Sequence, residues 1–121
     1  MKVLHVSASD QLGGAAKAAF RIHRALTEHR VVSKMYVDHQ LTSETGVFSS
    51  LNECSPLISR CKQYLGRLPF FLDDKSAPYG SCALFSSRAK VSKINGTECD
   101  VVNLHWIQAE MLSVEDIALI K

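Results

Sequence analysis

Lys2-Val3-Leu4-His5-Val6-Ser7-Ala8-Ser9-Asp10-Gln11-Leu12-Gly13-Gly14-Ala15-Ala16-Lys17-Ala18-Ala19 is the stretch from which the fold is read. Val3 to Val6 is a short β-branched and apolar run that gives way to Ser, Asp and Gly, the pattern of a buried strand entering a loop. From Gly14 onward Ala15, Ala19, Ile22 and Leu26 recur at helical spacing. Ala16 and Phe20 widen that stripe, while Lys17, Arg21, Arg24 and Glu28 fall on other faces. Val31-Val32 and Met35-Tyr36-Val37 then read as a second strand, closed by Asp38. Strand, helix and strand in succession predict a βαβ unit, and hence an α/β chain with a parallel sheet flanked by helices.

Working outward, residues 39–55 are polar and broken by Gly46 and Ser49-Ser50; they read as loop, with Val47-Phe48 suggesting a short strand. Between Pro56 and Leu68, residues Leu57, Ile58, Cys61, Leu65 and Leu68 predict an amphipathic helix beside Arg60, Lys62 and Arg67. Its plain reading is packing on the sheet; with Pro69-Phe70-Phe71-Leu72 it also has the makings of a weak membrane-surface patch over residues 56–72. Arg88 to Ile94 reads as a short helix stopped at Asn95-Gly96, and Asp100 to Trp106 as a further buried strand. Ser113 is the expected N-cap of a last helix reaching Ile120, with Glu115 and Asp116 in its first turn.

Apolar residues make up 46% and charged residues 21% of the 121, the balance of a globular domain with one core. A net charge of +2, with acidic residues between the basic ones, offers no footprint for nucleic acid. The N-terminal apolar run is too short for a secretory segment or a membrane span, so a cytoplasmic location is expected, peripheral to the inner face of the membrane if residues 56–72 touch it. Cys54, Cys61, Cys82 and Cys99 are widely spaced, with neither a C-x-x-C pair nor a nearby histidine pair, and read as reduced packing residues rather than metal ligands.

Gly13 and Gly14 fall between the first strand and the first helix, where open α/β sheets bind ligands. Two glycines there suit either a tight turn or the close approach of a phosphate or sugar to free helix N–H groups. The run is neither G-x-G-x-x-G nor a P-loop. His105 and Trp106 close the strand that begins at Asp100 and should reach the same sheet edge; an indole face beside an imidazole suits a carbohydrate, and equally a partly buried corner. Ser9 and Asp10 are candidates for hydroxyl contacts and equally for capping the helix. His5, within a buried strand, reads as a hydrogen-bonded core residue.

The segments Lys2-Val3-Leu4-His5-Val6-Ser7, Gly13-Gly14-Ala15-Ala16-Lys17-Ala18-Ala19 and Asp100-Val101-Val102-Asn103-Leu104-His105-Trp106-Ile107 together resemble the opening of family-4 glycosyltransferases, particularly those that build bacterial surface polysaccharides. The similarity covers residues 1–37 and 98–121. It implies the GT-B fold, in which two Rossmann-like domains face each other across a cleft and a nucleotide-activated sugar passes to an acceptor without an essential metal or cofactor. Residues 1–121 would form the acceptor-side, N-terminal domain, with the donor-binding C-terminal domain lying outside them. Gly13 and Gly14 would then approach the donor's diphosphate or sugar, and Ser9, Asp10, His105 and Trp106 would border the cleft toward a saccharide or lipid-linked acceptor. The family's catalytic histidine would fall beyond Lys121, so no catalytic residue is assigned, and half a cleft is expected to turn over negligibly.

Two other functions fit the same residues. In a dinucleotide-binding domain Asp38, at the end of the second strand, would hold the adenosine ribose of NAD. In a non-catalytic interaction domain the basic helix with Arg60, Lys62 and Arg67 would dock a partner or a membrane.

Overall fold

A computed structural model describes residues 1–49, 61, 64–65, 85–107 and 111–121. Its central strand, β1 (Lys2–Ser9), is buried from Val3 through Ser9 except at half-buried Ala8, which is the environment of a strand covered on both faces. Parallel pairing with β2 (Val32–His39) runs from Lys2↔Val32 to Ser9↔His39, so β1 extends three residues past the predicted Val6: hydrogen bonding to β2 holds its serines in the sheet. The helix α1 (Gly13–Glu28) joins these two strands. β3 (Val47–Ser49) adds in parallel to β2, and α2 (Arg88–Asn95) precedes β4 (Val101–Leu104), which pairs in parallel with β1. A short α3 (Val114–Ala118) follows. The sheet is all parallel, in the order β3-β2-β1-β4, which makes the chain an α/β protein of Rossmann-like type.

Two apolar clusters lie on opposite faces of this sheet. On one, Leu4, Val6 and Tyr36 pack with Ile94 of α2 and with Met111 and Leu112; on the other, Met35, Val37 and Val47 pack under Ala19 of α1. The buried face of α1 consists of Ala16, Ala19 and His23, rotated from the expected stripe: Ala15 is exposed and Ile22 is 43% exposed. His23 is the polar member of that buried face, and its ring reaches β2 and the β2–β3 connection. Its Nε2–H donates to the Thr45 carbonyl at 3.4 Å and its Nδ1 accepts from the Ser33 hydroxyl at 2.8 Å.

The same contacts explain why a strand forms in a region read as loop. Parallel strands ordinarily need a crossover of about a dozen residues, yet residues 40–46 suffice between β2 and β3. The chain doubles back over His23, Met35 N–H donates to Gly46 C=O at 2.9 Å, and Val47 comes into register with Met35. Gly46 has φ of 89°, and a Cβ there would lie 3.2 Å from both His23 Cε1 and the Ser33 carbonyl oxygen, so this close pass requires glycine.

β4 is an edge strand and less buried than expected: Val101 is 45% exposed and Asn103 is exposed, since no described element covers that face. α3 is shorter than predicted but begins as its sequence dictates. Ser113 Oγ accepts from Asp116 N–H at 3.1 Å while the Asp116 carboxylate accepts from Ser113 N–H at 2.9 Å, a reciprocal cap. Of the expected helix over 56–68, Cys61, Tyr64 and Leu65 are helical and exposed; Arg60, Lys62, Arg67 and residues 69–72 lie outside the described residues, as do Cys54 and Cys82. No helix among the described residues is long and apolar enough to cross a membrane.

Candidate functional site

Because every strand is parallel, all carboxyl ends meet at one sheet edge. The chain lays down β1, β2 and β3 in one direction and then places β4 on the other side of β1, so the strand order reverses at β1. The crevice at such a reversal is where open α/β sheets accommodate ligands, since the loops leaving the two strands diverge to opposite faces. At this reversal the loop from Ser9 to Gly14 leaves the end of β1, and His105-Trp106 leaves the end of β4. Past the end of β4 the backbone still follows β1: His105 N–H donates to Val6 C=O at 2.9 Å and Ala8 N–H donates to Trp106 C=O at 2.7 Å. That anchoring holds the backbone of the chain's one tryptophan at the sheet edge, with the residue 46% exposed.

The other sequence candidates have distinct local duties. Ser9 Oγ accepts from Gln11 N–H and Leu12 N–H, each at 3.2 Å, which folds the loop ahead of α1. Asp10 is fully buried and ties that loop to the β2–β3 connection, accepting from the Thr42 hydroxyl at 2.6 Å, Thr42 N–H at 2.8 Å and Leu41 N–H at 3.0 Å. Burial by itself would raise its pKa; the hydrogen bonds from Thr42 and Leu41 outweigh that and hold the carboxyl below its ordinary value.

The two glycines separate. Gly13 has φ of 87° and so meets a backbone requirement of the turn into α1. Gly14 has ordinary helical backbone, is exposed, and would have nothing within 4 Å of an added Cβ, so neither strain nor crowding calls for glycine there. The first turn of α1 carries no acidic side chain, and Leu12 at the N-cap supplies no side-chain acceptor, leaving the positive end of the helix dipole open to an anion.

Behind the crevice stands a row of three histidines that spacing along the sequence does not reveal. His5 is fully buried on the α1 face of β1, and its Nδ1 lies 3.0 Å from Nε2 of half-buried His105. The two rings are 28° from parallel with centroids 5.2 Å apart, the separation of imidazoles meeting edge to edge rather than one over the other. His23 approaches His5 edge-on at 6.3 Å. Burial first, and then the neighbouring His105 and His23, lower the pKa of His5 to about 4; burial also lowers those of His105 and His23. All three are neutral at pH 7. The sequence signal for it was the alternation His5, Ser7, Ser9, which places polar groups on one face of a strand buried on both.

Asp38 is nearly buried, and its carboxylate accepts from Lys90 Nζ at 2.6 Å; Lys90 also donates to Met111 C=O at 3.0 Å. The pair clamps α2 to the end of β2. It also occupies the carboxylate that a dinucleotide ribose would need. Among the described residues no cluster of histidine, cysteine and acidic side chains is arranged to hold a metal ion. Comparison of the chain with protein-family models, curated proteins and solved structures returned no match.

Proposed function

We propose that this chain forms the acceptor-side Rossmann-like domain of a family-4-type glycosyltransferase, and that the sugar-diphosphate end of a nucleotide sugar meets it at the crevice between β1 and β4. The observation that carries this is the position of Gly14: a residue with no structural need for glycine stands at the open N-terminus of α1, across the strand-order reversal from His105 and Trp106. Glycine there lets a diphosphate reach the helix N–H groups. Trp106 offers a flat apolar face for a sugar ring or for the acceptor, a saccharide or a lipid-linked one. Glycosyl transfer needs the leaving diphosphate's charge stabilised and the acceptor hydroxyl aligned, tasks shared between two domains that close on each other. One domain by itself binds weakly and leaves the reaction without its second wall.

Because Trp106 is the chain's single tryptophan, its fluorescence reads the crevice directly. Titration with a uridine-diphosphate sugar is expected to give saturable quenching with Kd of about 1 mM, weakened at least about threefold by Gly14→Ala, with no response to NAD. Residues 1–121 should show no measurable sugar transfer. Absence of quenching by any nucleotide sugar, tighter binding of NAD, or a substantial transfer rate would each overturn the proposal.

A further inference from the structure

We propose that His5 is a positioning residue: by donating its Nδ1–H to Nε2 of His105 it locks His105 in the Nδ1–H tautomer, so that this ring meets its ligand as a hydrogen-bond donor and not as a base. The choice of site rests on the crevice reading above; the tautomer itself does not. Two neutral imidazoles joined nitrogen to nitrogen share one proton, and two assignments are open. If His105 donated from Nε2, the proton of His5 would sit on its Nε2, a fully buried atom with no partner among the described residues. A buried N–H without an acceptor is rare in folded proteins, whereas an underused acceptor lone pair is better tolerated. His5 therefore carries its proton on Nδ1 and donates, and the orphaned Nε2 is left as a bare lone pair.

That assignment fixes its neighbour. Nε2 of His105 is the acceptor, so its proton resides on Nδ1, which has no hydrogen-bond partner among the described residues. The edge-to-edge approach of the rings, 3.0 Å between nitrogens, has the in-plane alignment such a bond needs. His23 cannot compete for either proton, because its Nε2–H is spent on the Thr45 carbonyl and its Nδ1 on the Ser33 hydroxyl. A half-buried ring whose one uncommitted atom is an N–H recognises oxygen lone pairs, those of a phosphate or a sugar hydroxyl. It cannot take a proton from an acceptor hydroxyl without breaking the bond to His5.

Long-range 1H–15N correlation spectra of the histidine rings test this in the unliganded chain. The expected pattern is a protonated Nδ1 and a bare Nε2 on both His5 and His105. His5→Leu, which keeps an apolar fit, should release His105 to a mixture of tautomers, and His5→Asn, whose amide N–H falls near the original Nδ1–H, should restore the locked form. Uridine diphosphate affinity should fall at least about threefold in His5→Leu and recover in His5→Asn. A protonated Nε2 on His105 in the unaltered chain overturns the inference, as does an unchanged affinity in His5→Leu. The locked tautomer in a chain that does not bind uridine diphosphate would support the assignment and overturn the crevice reading instead.

Discussion

Three glycines in this chain sit under different constraints, and their replacement by alanine separates backbone need from functional need. Gly46 combines φ of 89° with contacts of 3.2 Å on any Cβ, and Gly13 has φ of 87° with free space around it. Gly46→Ala is expected to cost about 2–3 kcal/mol and Gly13→Ala about 1–2 kcal/mol. Gly14→Ala adds a side chain to helical backbone in open space and should stabilise the fold by about 0.5 kcal/mol. Urea midpoints at constant slope measure all three. Destabilisation by Gly14→Ala would mean that the fold itself demands this glycine, and the main support for an anion at α1 would be gone.

At the scale of elements, α2 and α3 are held by polar staples more than by their own length. α3 is five residues, too short to persist without partners. Asp116 anchors it, accepting from the Ser86 hydroxyl at 2.6 Å and Ser87 N–H at 3.1 Å just ahead of α2, besides the reciprocal cap with Ser113. Lys90 holds the opposite side through Asp38, both side chains less than a fifth exposed. Lys90→Met removes this ion pair from the nearly buried Asp38 carboxylate and is expected to cost about 3 kcal/mol, while Lys90→Met combined with Asp38→Leu should recover most of that. If the double variant is as unstable as the two single losses added together, the pair is not coupled and the clamp has been misjudged.

For the whole molecule, the buried histidines and carboxylates set the response to acid. The folded chain keeps His5 neutral down to about pH 4, whereas an unfolded histidine takes up its proton near 6.5, so the unfolded state binds more protons between these values. Stability therefore falls as the pH drops from about 6.5 to about 4, by about 3 kcal/mol from His5, with His23 and His105 adding in the same direction. Asp10 and Asp116 act lower down. Their folded pKa values lie below the ordinary 3.8, so their contribution is complete above that value and is lost as the pH falls through the folded values. Urea midpoints followed from about pH 8 to about pH 3 should show both stages, and His5→Leu should flatten most of the upper one. A midpoint constant between 6.5 and 4 would show that His5 is not held neutral.

The sequence by itself determined the α/β class, the βαβ start, the helix stop at Gly96 and the cap at Ser113, because each follows from patterns in contiguous runs of the chain. It also placed Gly13-Gly14 between the first strand and the first helix, and His105-Trp106 at a strand end. Tertiary structure decided the remainder. The burial of His23 on α1 and the existence of β3 depend on a chain crossing that brings Thr45 and Gly46 onto that ring, a contact 22 residues apart to which hydrophobic periodicity is blind. The strand order, and with it the crevice, depends on β4 joining β1 rather than β3. The bond between His5 and His105 spans 100 residues. Local patterns encode which face a residue seeks, but a polar side chain shows what it will bond to only when the fold delivers its partner.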